Sequence, residues 1–296
     1  MPLEVKHLSH TYAKGEPEET QALADVSFTV EDGEFLAIIG HTGSGKSTLL
    51  QHLDGLLRPD AGSITIHGTV ITDPKTPKVE IRRRIGLVFQ YPEYQLFEET
   101  VSEDVAFGPK NLGIEGEALT QRVDHALRLT GLDPDTIGDK SPFELSGGQK
   151  RRVAIAGVLA MKPDLMILDE PTAGLDPQAR QELLSVIGRI HKEEGNITIL
   201  VSHNMDDVAR MADKVLVMDQ GRAVMFGTPR EVFSRGEELE GIGLGVPGVT
   251  ALIRRLNRKG YHLPEELLDR EQAAEAIAAA VQPMPNVPDA QGQRKG

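Results

Sequence analysis

The chain has no cysteine and no tryptophan in 296 residues, and aromatic residues make up only 4% of it. Without cysteine there are no disulfides, thiolate metal sites or thiol nucleophiles, which fits a reducing cytoplasm. Scarce aromatics mean an aliphatic core, and 39% hydrophobic residues are enough to build one. Positive charge is in deficit: 32 Lys and Arg against 45 Asp and Glu give a net charge of −13. That balance argues against broad nucleic-acid binding, which needs a phosphate-neutralising face. No run approaches the ~18 apolar residues that cross a bilayer. The start, Met-Pro-Leu-Glu-Val-Lys, lacks the basic-then-apolar pattern of a secretory signal. The expectation is a soluble protein kept inside the cell, reaching a membrane only through a partner.

What is present has the rhythm of an α/β sheet. Residues 3–8, 26–30 and 63–71 alternate apolar and polar positions, as half-exposed antiparallel strands do. Residues 35–39, 165–168 and 197–201 are unbroken apolar runs, suited to a sheet covered on both faces. A helical pattern occupies about 101–139, with further helices expected over 146–160 and 177–194. Residues 215–218 and 223–226 read as a closing hairpin. Beyond Pro229 come a Gly/Leu-rich segment at 241–248, a basic helix near 249–259, an acidic helical stretch over 264–281, and a Pro-rich tail expected to be disordered.

The first chemical signal is Gly40-His-Thr-Gly-Ser-Gly45-Lys46-Ser47, directly after the apolar run ending at Ile39 and before a helical Thr48-Leu-Leu-Gln-His-Leu53. Strand, glycine-rich loop and helix together form a phosphate cradle. Glycines let backbone N–H groups turn toward phosphate oxygens, and the helix N-terminus adds about half a positive charge. Lys46 would bridge the β- and γ-phosphates, and the Ser47 hydroxyl would ligate Mg²⁺. His41 inside the loop needs no catalytic role. A second apolar run ends in Asp169-Glu170. Asp169 would hold Mg²⁺ directly or from the second shell, and Glu170 would orient and polarise the attacking water. The presence of both acids favours hydrolysis over a nucleotide-dependent switch. A third run ends in Ser202-His203, where the imidazole could donate to a γ-phosphate oxygen. Arg82-Arg-Arg84 and Lys150-Arg-Arg152 read as solvated faces or local phosphate-facing groups.

One motif has no role inside a single phosphate-loop core: Leu145-Ser146-Gly147-Gly148-Gln149, ahead of an apolar helix and about a hundred residues from the first loop. A serine and two glycines at a helix start form another anion-binding end. Together these motifs resemble the nucleotide-binding subunits of ATP-binding cassette (ABC) transporters, over residues 1 to about 230. The resemblance implies an α/β phosphate-loop NTPase fold with a mixed sheet core, an antiparallel β subdomain, a helical insertion over about 91–160, and bound ATP with Mg²⁺. It implies nucleotide contacts at Tyr12, Gly40, Thr42, Gly43, Ser44, Gly45, Lys46, Ser47 and Thr48, with Tyr12 stacking on adenine. It assigns catalysis to Glu170, His203 and Gln90, and metal ligation to Ser47, Gln90 and Asp169. Ser146, Gly147, Gly148 and Gln149 would act in trans on the ATP held by a second cassette, and Asp176 would sit on the loop crossing that interface.

The stretch Tyr91-Pro-Glu-Tyr-Gln-Leu-Phe-Glu-Glu-Thr-Val-Ser-Glu-Asp-Val-Ala-Phe-Gly-Pro109 narrows the resemblance to the ATPases of energy-coupling factor (ECF) transporters, A-prime type. The implied function is the ATP-hydrolysing motor of an importer of vitamins or transition metals. The implied partners are a second, non-identical ATPase, a transmembrane scaffold and a substrate-binding membrane subunit, with no nucleic acid and a peripheral place on the cytoplasmic membrane face. Residues 231–282 would be a dimerisation extension, or a regulatory or merely solvated tail, and 283–296 a disordered end. Two alternatives stay open: the ATPase of another ABC importer class, and a soluble ABC ATPase working on ribosomes or DNA.

Overall fold

A computed structural model describes residues 2–281; the expected disordered tail at 283–296 lies outside them. In chain order the elements are β1 (Leu3–Tyr12), β2 (Thr20–Val30), β3 (Phe35–Ile39), α1 (Lys46–Leu53), β4 (Ala61–Ile66), β5 (Thr69–Val70), α2 (Lys78–Arg84) and β6 (Ile85–Val88). A helical segment follows: α3 (Val101–Asn111), α4 (Gly116–Leu129), α5 (Pro134–Ile137) and α6 (Gly147–Leu159). The sheet resumes with β7 (Leu165–Asp169), α7 (Pro177–Glu194), β8 (Ile197–Val201), α8 (Met205–Met211), β9 (Lys214–Asp219) and β10 (Arg222–Gly227). The chain then runs through α9 (Pro229–Ser234), α10 (Gly236–Gly241), α11 (Gly248–Asn257) and α12 (Arg270–Val281).

Two sheets form. One is antiparallel, in the order β2-β1-β4-β5, and the other has six strands in the order β10-β9-β3-β8-β7-β6. In the larger sheet β9, β3, β8, β7 and β6 run parallel, and only β10 is antiparallel. Its continuous apolar strands are buried along their length: every residue of β3 and β8 is in the core. This burial explains the unbroken apolar runs in the sequence. Parallel strands point their C-terminal ends to one edge, and in open α/β sheets ligands bind there. The chain emerges from β3 into the glycine loop, from β7 at Asp169, from β8 at Ser202-His203, and from β6 two residues before Gln90.

The expected alternating run at 3–8 extends to Tyr12, with β-bulges where His7 takes a positive φ of 51° and shifts the register. The expected acidic helix at 264–281 begins only at Arg270. The Asp269 carboxylate caps the start there, accepting from the N–H groups of Glu271 and Gln272 at 2.9 Å. Residues Val232, Phe233, Leu239 and Leu244 share a core with Ala37, Ile39, Val215 and Val217. Packing therefore runs continuously from the sheet across residue 230. A separate small core of Ile253, Leu263 and Ala273 gathers α11 and α12. Among the described residues no helix is long and apolar enough to cross a membrane.

Candidate active site

At Gly40 and Gly45 the neighbours of the glycine loop leave no room for side chains. A Cβ at Gly40 would collide with the Met218 carbonyl and the Ser44 hydroxyl. One at Gly45, where φ is 101°, would come within 2.6 Å of the Ala22 carbonyl. Lys46 opens α1 and folds back over the loop, donating to the carbonyls of Gly40 (2.7 Å) and His41 (2.9 Å). Burial lowers its pKa, against the opposing pull of Glu170 and Asp169. Its ammonium is thus near both acids. The Ser44 hydroxyl is fully buried without a hydrogen-bond partner. A buried orphan inside a loop of inward-turned backbone is what a bound phosphate oxygen would satisfy.

At the end of β7 the backbone turns sharply. Glu170 sits in the left-handed region at φ 47°, its N–H held by the Val201 carbonyl at 3.1 Å. Strain of this kind, about 1–3 kcal/mol, persists where surrounding structure imposes it, and it clusters at functional sites. The turn aims the Glu170 carboxylate across to β8, where it meets His203 Nε2 at 2.8 Å. Gln90 Nε2 reaches the other carboxylate oxygen at 3.5 Å. The Asp169 carboxyl is pushed above its ordinary pKa by burial and then by Glu170, with Lys46 and His203 opposing. Ser47, Gln90 and Asp169 offer only oxygen donors of the hard kind Mg²⁺ prefers, so the residues present fit that ion.

Tyr12, at the end of β1, is 39% exposed, with its hydroxyl 3.4 Å from the Thr48 hydroxyl and the Gln51 side-chain oxygen on α1. It is braced edge-on by His10 at 4.6 Å. Ser146 caps α6 in a complete capping box: its hydroxyl accepts from Gln149 N–H at 3.3 Å, and the Gln149 side chain accepts from Ser146 N–H at 3.0 Å. Ser146 and Gly147 are exposed, and open space lies above both glycines. Among the described residues no hydrogen bond or ion pair joins this corner to the glycine loop of the same chain. Asp176 caps α7, accepting from the N–H groups of Gln178 (2.9 Å) and Ala179 (3.0 Å). The loop, both acids, His203 and Gln90 therefore assemble in one chain, while the Ser146 corner stands apart.

Arg151 has a role that nothing in its sequence pattern marks. The basic triplet reads as a solvated face, yet Arg151 is 2% exposed. It pairs bidentately with Glu93 at 2.7 and 2.9 Å and donates to the carbonyls of Pro171 (3.0 Å) and Ala173 (2.9 Å). Burial pushes the Glu93 carboxyl up, but the bonds from Arg151 win and hold it below its ordinary range. One guanidinium thus ties the Ser146 helix to the turn after Gln90 and to the segment after Glu170. Arg84 is likewise engaged, with Asp164 at 2.8 Å.

A family model described as "ABC transporter" matches residues 23–173, half of the chain. The chain belongs to the ABC transporter family. The cassette is 55% identical over 287 residues to the energy-coupling factor transporter ATP-binding protein EcfA2 of Caldanaerobacter subterraneus, covering 97% of this chain and all of that one. It is 54% identical to the EcfA2 of Clostridium perfringens, covering 94% of this chain and 97% of the relative. Among solved structures it is similar to cbiO1 of Clostridium perfringens, described as part of the ABC transporter complex cbiONQ. The TM-score there is 0.72 at 40% identity, over 81% of this chain and 93% of the other. It also resembles the dimeric cassette MJ0796 in a post-hydrolysis state with ADP and Pi, with a TM-score of 0.66 at 28% identity over 77% and 99% of the two chains. The family, the ECF grouping and the phosphate-loop fold agree with the sequence expectation. The cassette is an ATPase whose hydrolysis is coupled to transport.

Proposed function

We propose that the cassette is the motor subunit of an ECF-type importer in which two ATPases clamp ATP between them. The observation that carries this reading is the Glu170 carboxylate, turned by a strained backbone onto His203 at 2.8 Å beside the Lys46 loop. Lys46 and the loop N–H groups bind the β- and γ-phosphates, and Tyr12 packs on the adenine, a contact worth ~1 kcal/mol beyond burial. Glu170 orients the attacking water, held in place by His203 and Gln90, and His203 also faces the γ-phosphate. Ser47, Gln90 and Asp169 would hold Mg²⁺, which when bound neutralises phosphate charge.

The exposed Ser146 corner completes the site of the opposite cassette, where its open glycines allow a phosphate to approach backbone N–H groups. Asp176, beside the same interface, caps its own helix at the same time. Residues 231–282 would add a second contact between the ATPases. The first part of that region packs on the sheet, while α11 and α12 share a small core of their own, and Arg254, 7% exposed, pairs with Glu240 at 2.6 Å.

An apolar groove of about 500 Å³ runs between α2, the turn after Gln90, α3 and α6, lined by Val79, Leu96, Phe97, Phe107, Leu112 and Met161. Phe97 is 57% exposed and stacks edge-on with Phe107 at 4.9 Å. Exposed aromatics in a groove mark a partner site. We assign it to a transmembrane scaffold, which places the cassette peripherally at the cytoplasmic membrane face with a substrate-binding membrane subunit beyond. The test is a paired substitution: Glu170→Gln should bind ATP and accumulate the closed dimer without turnover, and Lys46→Ala should lose ATP affinity. Undiminished turnover in both variants overturns the assignment.

A further inference from the structure

His41 lies in the phosphate loop, where the reading above gives it nothing to do. The structure gives it two partners. Its Nδ1 lies 2.7 Å from the Thr42 carbonyl and its Nε2 lies 2.8 Å from the Asp219 carboxylate. Both partners accept hydrogen bonds, so a neutral imidazole, with one N–H, can satisfy only one of them. To donate to both partners the ring must carry both protons, and an imidazole is ordinarily a stronger base than a carboxylate.

The partner's position follows from the sheet. β9 pairs in parallel with β3, Ile39 opposite Val217, so both strands end at the same edge. The chain leaves β3 into the glycine loop just where β9 reaches Asp219. The β9–β10 turn cups the loop from outside: Gly221 N–H donates to the Ser44 carbonyl at 3.0 Å, and Gly221 C=O accepts from Ala24 N–H at 2.8 Å. A Cβ at Gly45 would lie 3.3 Å from Gly221 Cα. We propose that His41 is a positioning residue, an imidazolium that staples the phosphate loop to the β9–β10 turn through Asp219 and so holds the loop ready for the triphosphate.

The charged groups facing the ring agree. The bonds to the Thr42 carbonyl and then to Asp219 raise the His41 pKa, with solvent loss and the Lys46 ammonium opposing. For a raised imidazole, the staple is fully present below the unfolded value of about 6.5 and is lost as pH rises through the higher folded value. The inference rests on the reading that this loop binds ATP.

The test uses the full chain. Histidine NMR without nucleotide follows the His41 imidazole in the wild type, in Asp219→Asn and, for assignment, against His41→Gln. Calorimetry then gives the Kd for MgATP from pH 6.5 to 8.5. The ring is expected to titrate above 6.5 in the wild type and lower in Asp219→Asn, whose amide can donate to a neutral Nε2. Wild-type affinity should weaken about two- to fivefold over the range, as expected for a partly exposed charge pair. Asp219→Asn should lack that component, and comparing variants cancels the titration of ATP itself. A wild-type ring titrating at or below 6.5, or identical pH profiles in the wild type and Asp219→Asn, overturns the staple. Lys46→Ala separates the two failures. If it loses ATP while the His41 effects are absent, only the staple falls. If it binds ATP normally, the phosphate-loop reading falls, and the imidazole titration still judges the staple by itself.

Discussion

Replacing Arg151 with methionine would remove a guanidinium that binds three segments. Methionine keeps much of the side-chain volume, so the loss is mainly polar. It leaves the Glu93 carboxylate, 18% exposed, without its cation, and frees two carbonyls after Glu170. Removing one member of a fully buried ion pair costs about 3–5 kcal/mol, and partial access of water to Glu93 lowers this to about 2–4. A large domain loses about 2–4 °C of Tm per kcal/mol, so calorimetry should show a fall on the order of 4–16 °C. Glu93→Gln alone should cost less. The double variant should recover part of the loss, because no uncompensated charge remains, giving a coupling of at least about 1.5 kcal/mol. The pH dependence has a definite sign. A carboxyl held below its usual pKa contributes stability above its unfolded value, ~4.3, and that stability is lost as pH falls through the folded value. Between about pH 5 and 3 the wild type should therefore lose more stability than Arg151→Met. An Arg151→Met variant within about 0.5 kcal/mol of the wild type, with an unchanged acid limb, would refute the role given to this pair.

Gly45→Ala should destabilise the loop by about 1–3 kcal/mol and lower ATP affinity, since the methyl meets the Ala22 carbonyl at a positive φ; denaturant unfolding and calorimetry test both. Asp169→Asn should raise the Tm of the nucleotide-free protein, because the carboxylate is crowded by burial and Glu170, while the extra stabilisation by MgATP over ATP shrinks; a fall in nucleotide-free Tm contradicts this. Phe97→Ser with Phe107→Ser should abolish co-purification with membrane subunits and keep the ATP affinity of the isolated cassette; retained co-purification removes the groove assignment.

The parts of the site legible in the sequence are those where chemistry and backbone geometry are local. Gly40–Ser47, Asp169-Glu170 and Ser146–Gln149 each carry strand, turn and helix signals within a dozen residues, so their placement could be read directly. Strand type was legible too, because burial on both faces leaves an unbroken apolar run. What was hidden depends on distant pairing. Arg151 meets Glu93 across 58 positions, and His41 meets Asp219 across 178. No period or spacing marks such pairs, so Arg151 looks like its half-buried neighbours Lys150 and Arg152, and His41 like a spare loop residue. The late start of α12 shows local competition instead: acidic helix formers fill 264–281, but the Asp269 cap decides where the helix begins.

In the proposed motor the Ser146 corner of one cassette closes on the triphosphate held by another. A chain without cysteine makes the test clean. Ser146→Cys in a Glu170→Gln background, co-expressed with its partner cassette carrying a single cysteine in its own phosphate loop, should form an intersubunit disulfide. With ATP the crosslink should form rapidly, and with ADP or no nucleotide slowly. Equal crosslinking in all three conditions, or none with ATP, would rule out the shared site.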